Sequence, residues 1–125
     1  NTATLLKVIK NPLVDIIVHP GNPLFPLDVP TIVKAAEEYG ICLEINNSSF
    51  YTRQGSYETC LEFAKMSAAS EVKIAISSDA HLAGTVGQFA EAVKLAEKAG
   101  IAQGRVLNSS AERVLDFLEQ RRNRR

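Results

Sequence analysis

The sequence predicts an α/β fold of four consecutive βα units on a parallel sheet. Short β-rich runs alternate with longer helical patterns four times along the chain. Right-handed crossovers between such units lay the strands parallel, with helices outside. The length, 125 residues, suits one domain with a single core. Four strands are too few to close a barrel, which typically takes ~8. An open doubly wound sheet and half of a (β/α) barrel are therefore both compatible with the pattern.

The first strand is read at Leu13 to His19, branched and apolar throughout, as a strand buried on both faces should be. Asp28 caps a helix to about Tyr39, with Ile32, Val33, Ala36 and Tyr39 inward, Pro30 in its first turn and Gly40 ending it. Ile41 to Asn46 is the second strand. Ser56 caps the next helix, whose inner face uses Cys60, Leu61, Ala64 and Ala68. Lys73 to Ser78 is the third strand. Thr85 and Gln88 have capping-box spacing and open a helix with Val86, Phe89, Ala90, Val93 and Ala96 inward, stopped by Gly100. Arg105 to Asn108 is a brief fourth strand. Ser109 and Glu112 form a second capping box before a helix with Ala111, Val114, Leu115 and Leu118 inward.

Hydrophobic residues make up 46% of the chain and charged residues 22%, the balance of an ordinary globular protein. The formal net charge is zero, so nucleic acid is not an expected partner. The basic end, residues 121–125, is read as a solvated, frayed tail. Cys42 and Cys60 form no CxxC pair and sit in apolar patterns, which reads as buried thiols in a reducing compartment. No apolar run approaches the ~20 residues that span a bilayer, and no signal-peptide pattern opens the chain. A cytoplasmic location without membrane attachment is expected. The start at Asn1 hints at processing or a fragment.

Polar residues gather where the first three strands end: His19-Pro20-Gly21-Asn22, Glu44 to Ser49, and Ser77-Ser78-Asp79-Ala80-His81. In parallel α/β folds these ends share one face, where active sites are built. In extended backbone Asp79 and His81 would project to the same side, pairing an oxygen with a nitrogen donor in a mixture that suits zinc, manganese or iron. The competing reading is a turn, with Asp79 capping amides and His81 in solvent. Pro20 biases His19 toward extended geometry, and Gly21 lets the chain turn after it. Both histidines of the chain fall on the same rim. Glu44 is a ligand, a general base or an acceptor for a ligating histidine, while Asn46 could donate to a phosphate oxygen. A buried network sealing the strand end accounts for both equally well. Asn47, Ser48 and Ser49 shape the loop, and Arg53 could pair with a substrate phosphate. No nucleophile beside a base, no GxSxG and no P-loop is present, which leaves a metal-activated water as the simplest nucleophile.

Taken in order, His19-Pro20-Gly21-Asn22-Pro23, Glu44-Ile45-Asn46-Asn47-Ser48-Ser49 and Ser78-Asp79-Ala80-His81 resemble motifs of the polymerase-and-histidinol-phosphatase (PHP) family, in its bacterial phosphatase branch. The likeness continues through Gly55-Ser56 and Arg105-Val106-Leu107-Asn108 to the last helix. It implies the C-terminal half of a distorted (β/α)7 barrel, with residues 1–125 as a partial domain. It further implies a trinuclear zinc or manganese centre, present only in the complete domain, that hydrolyses phosphate monoesters of small molecules. On this likeness His19, Asp79 and His81 match metal ligands, Arg53 matches an arginine-bearing loop that makes it a candidate for phosphate contact, and Glu44 and Asn46 match a motif that lines the site or stands behind the ligands. The family's N-terminal HxH motif and its early-strand histidines and glutamate are not in this sequence. The chain is therefore expected to be a fragment, cleaved product or truncated paralogue that needs the N-terminal half as its partner and is inactive alone. The rival expectation is a stand-alone, catalytically inactive α/β module that binds an anion or a protein.

Overall fold

The computed structural model describes residues 1–124, so Arg125, expected to belong to a frayed tail, lies outside the described residues. The chain begins with a helix the sequence reading did not anticipate, α1 (Thr2–Ile9), whose Ile9 is buried. There follow β1 (Ile16–Ile17), α2 (Val29–Tyr39), β2 (Cys42–Asn46), the single turn α3 (Ser49–Thr52), α4 (Ser56–Ala68), β3 (Ile74–Ser77), α5 (Ala90–Ala99) and α6 (Ala111–Arg122). The strands form one parallel sheet in the order β1-β2-β3. The fold is α/β.

Strand alternation divides the core in two. Ile17, Leu43, Ile45, Ile74 and Ile76 turn to the face covered by α2, α4 and α5, where Ile32, Phe63 and Leu95 meet them. Cys42 and Ala75 turn to the other face and pack on Leu107 and on Phe117 of α6. Burial pushes the thiols of Cys42 and Cys60 up to about 12 and about 11. Both are therefore protonated at neutral pH, not nucleophilic thiolates. Because the unfolded thiols ionise lower, this preference supports the fold below roughly pH 8.5 and is lost as pH rises toward the folded values.

Several expected elements are corrected. The first strand is two residues long, and it is not buried on both faces: Leu13, Ile16 and Val18 are exposed while Ile17 is buried. It is an edge strand, hydrogen-bonded among the described residues to β2 alone. The fourth strand shrinks to one bridge, Ile74 with Val106, between 3-10 turns at Gln103–Arg105 and Leu107–Ser109. Here a side chain takes the place of a strand. The Asn108 amide accepts from the Ile76 N–H at 3.0 Å and donates to its carbonyl at 2.6 Å.

Helix boundaries shift for local reasons. Gly55 is the N-cap of α4 and Ser56 its first residue; the inner face is Ser56, Cys60, Phe63, Ala64 and Ser67, with Leu61 and Ala68 half-buried. Thr85 and Gln88 make no capping box. Their side chains donate to Leu82 and Gly84 carbonyls within a 3-10 turn (Ala83–Thr85), and Gly87, at φ 80°, breaks the chain before α5. Val86, Phe89 and Ala90 are consequently exposed, and α5 buries Ala92, Leu95 and Ala96. In α6 the cap is Ser110 and not Ser109, and Leu115 is exposed where Phe117 is buried.

The basic end is also corrected. Arg121 belongs to α6 and is 6% exposed; it donates to the Asp15 carboxylate at 3.2 Å, to the Val14 carbonyl at 2.7 Å and to the Tyr39 carbonyl. Arg122 ends the helix, on its exposed side. No helix among the described residues is long and apolar enough to cross a membrane.

Candidate functional site

The parallel sheet brings the ends of β1, β2 and β3 to one side, and the polar residues named from the sequence stand there. They form a continuous chain of hydrogen bonds and one ion pair. The Glu44 carboxylate accepts from the His19 N–H at 2.6 Å, the Ser77 hydroxyl at 2.5 Å and the Asn46 amide at 3.3 Å. The other end of the Asn46 side chain accepts from the Ser49 N–H at 3.0 Å. The Ser49 hydroxyl accepts from the Arg53 guanidinium at 2.8 Å, and that guanidinium lies 3.7 Å from the Asp79 carboxylate. The His81 ring nitrogen Nδ1 sits 2.8 Å from the Asp79 carbonyl.

The geometry of each residue follows from these contacts. His19 has φ 35° and Asp79 φ 50°, so neither is extended, and the expected side-by-side projection of Asp79 and His81 from extended backbone does not occur. The strands stop at Ile17 and Ser77, and the chain turns immediately afterwards. Pro20 would favour extended backbone at His19. The His19 backbone is left-handed instead, and its N–H donates to the Glu44 carboxylate. Because a carbonyl only accepts, the hydrogen bond at His81 puts a proton on Nδ1, so in the neutral ring Nε2 is the nitrogen that carries the lone pair. Ligating histidines use this arrangement.

Asn46 is 1% exposed, and both ends of its amide are engaged by Glu44 and by the Ser49 N–H. The guanidinium of Arg53 is half-buried, held between Ser49 and Asp79. His19 and the pair Asp79–His81 line separate hollows: one of ≈ 270 Å³ with Leu5 and Phe25, the other of ≈ 330 Å³ with Tyr51 and Leu82. Among the described residues no three His, Cys, Asp or Glu side chains are grouped to hold one ion. The donor types suit zinc or manganese, but the arrangement does not by itself make a metal centre.

The sequence reading missed Ser49 and Ser77 as connecting members and Asn47 as a cap. Asn47 is buried and accepts from the Ala92 N–H at 2.9 Å, so the end of β2 caps a helix 45 positions away in sequence. A hydroxyl or amide following a strand could have flagged all three, but their partners are visible only in three dimensions. Asn47→Ala is expected to cost about 1 kcal/mol, the usual value of an N-cap. A chemical-denaturation midpoint equal to that of the parent would exclude this capping role.

The His19 loop is clamped from behind by α4. The Thr59 hydroxyl donates to the Gly21 carbonyl, and Gly21 packs directly on Cys60. The Ser56 hydroxyl is buried at the start of this helix without a hydrogen-bond partner among the described residues.

The chain is similar to bacterial proteins named probable phosphatases. It is 46% identical to one from Thermoanaerobacter sp. (strain X514) over 99% of its own length and 51% of the relative's. It is 46% identical to one from Caldanaerobacter subterraneus subsp. tengcongensis over 99% of this chain and 49% of the relative, and 40% identical to one from Proteus mirabilis over 95% and 49%. The chain thus spans about half the length of the curated relatives it matches. No protein-family model matches it.

Proposed function

We propose that this chain is the C-terminal half of a metal-dependent phosphatase domain of PHP type, which hydrolyses phosphate monoesters once joined to the other half. The observation that carries the reading is the alignment along nearly the whole chain with half of each probable phosphatase. The connected network at the strand ends supports it, since it joins His19, Glu44, Asn46, Arg53 and Asp79 through Ser49 and Ser77. On this reading the exposed edge of β1, with Ile16 and Val18, receives the next strand of a (β/α)7 barrel.

His19, Asp79 and His81 are proposed as part of a zinc or manganese site whose remaining ligands this chain does not supply. Such ions, when bound, lower the pKa of water and neutralise phosphate charge. The chain's own contribution is positional. Arg53, beside Asp79, is proposed to reach phosphate oxygens in the complete domain, where its guanidinium suits a bidentate contact. His81 engages the Asp79 carbonyl through Nδ1, and Nε2 is the nitrogen proposed to reach a metal.

The test is to join the N-terminal half of the Thermoanaerobacter relative to Asn1 and to follow p-nitrophenyl phosphate hydrolysis after chelation and readdition of zinc or manganese. The joined protein is expected to bind metal and to show metal-stimulated turnover, while the 125-residue chain shows neither. Arg53→Ala should raise KM for the phosphoester by about 10-fold, the loss of one charge-assisted contact. A joined, folded protein without metal or turnover would leave the non-enzymatic α/β module as the reading.

A further inference from the structure

Glu44 accepts hydrogen bonds from residues of all three strand ends: His19 after β1, Asn46 within β2 and Ser77 at the end of β3. The two non-glycine residues with left-handed backbone among those described, His19 and Asp79, flank this bridge. His19 is bonded to it directly, and Asp79 follows Ser77 by two positions. Left-handed backbone is strained for an L-residue, and it persists where the surroundings over-determine it. Hydrogen bonds to an ionised carboxylate are about twice as strong as neutral ones. The bonds that Glu44 accepts from the His19 N–H and the Ser77 hydroxyl are restraints of the required kind.

We infer that Glu44 is a positioning residue that latches the His19 loop to the Asp79 loop and so fixes the directions in which both side chains leave the sheet. Its carboxylate is turned toward protein donors, with Ser77 on one oxygen and His19 and Asn46 on the other. That arrangement suits a strut better than a proton acceptor for substrate. The link to catalysis rests on the phosphatase reading; the latch itself is a property of these three strand ends.

The joined protein carrying Glu44→Ala or Glu44→Gln separates these roles through kinetics and amide hydrogen exchange at His19. Glu44→Ala is expected to lower kcat by about 10- to 100-fold, the usual effect of removing a group behind a site. KM should stay within about 3-fold, and the His19 amide should exchange about 10-fold faster. Glu44→Gln keeps one oxygen for the His19 N–H, so it should restore exchange protection and most of kcat. A general base would behave differently, with Glu44→Gln as inactive as Glu44→Ala while His19 stays protected; that result overturns the inference, as does an unchanged kcat in both. Should Glu44→Ala fail to fold, Ser77→Ala removes a single donor, and a kcat equal to that of the parent would equally overturn it. If the parent shows no phosphatase activity, the phosphatase reading fails on its own, and His19 exchange in Glu44→Ala still decides the latch: unaltered protection rejects it.

Discussion

Gly21→Ala is expected to destabilise the chain by about 2–3 kcal/mol, the upper range for overpacking. A Cβ at this position would lie 2.5 Å from the Cys60 sulfur, 2.9 Å from the Cys60 nitrogen and 3.0 Å from its Cα. Gly21 is not among the residues with positive φ, so the demand is for space and not for unusual backbone. The sulfur could swing aside, but the backbone of α4 cannot, because Cys60 sits in the second turn of a 13-residue helix. Separating the two would also strain the Thr59 hydrogen bond to the Gly21 carbonyl and loosen the loop that carries His19. Cys60→Ala in the same background removes only the sulfur contact, so it should recover a part of the loss and not the whole. Denaturant midpoints at constant m-value measure both effects. A Gly21→Ala variant within about 0.5 kcal/mol of the parent would show that the loop and α4 yield more easily than a packed interface should.

Arg121→Ala is expected to cost about 3 kcal/mol, the lower end for breaking a buried ion pair. The guanidinium reaches three partners from separate parts of the chain: Asp15 before β1, the Val14 carbonyl, and the Tyr39 carbonyl in the last turn of α2. Its charge also faces the negative end of that helix. The side chain therefore ties α6 to the entry of the edge strand, across more than 100 positions of sequence. Truncation leaves two carbonyls without this donor. Arg121→Met retains the apolar stem and should recover the packing share alone. A loss under about 1 kcal/mol in Arg121→Ala would place this pair with surface ion pairs, whatever its burial.

Much of the architecture was legible because it depends on local chemistry. Asp28 accepts from the Thr31 N–H at the start of α2, and Gly40 ends that helix in left-handed backbone at φ 65°. The branched runs of β2 and β3 pair as read. Errors arose where a distant group overrode the local signal. Thr85 and Gln88 have the right spacing for a cap, but Asn47 supplies the cap to α5 from another element. Arg105 to Asn108 looks like a strand, but the Asn108 side chain completes the pairing with Ile76. Arg121, in a run of arginines, looked like a solvated tail until the fold brought Asp15 and two carbonyls to it.

The sequence by itself determined the α/β class, the identity of the β2 and β3 strands and the placement of polar residues after each strand. These follow from periodicity and from the chain direction of parallel strands. Only the tertiary structure decided that Glu44 binds the backbone of His19 and not its ring, that Asn46 is sealed, and that Arg53 stands against Asp79. A carboxylate on a strand can turn to any donor within reach. Which donors arrive is set by packing between segments far apart in sequence, and no local pattern encodes that.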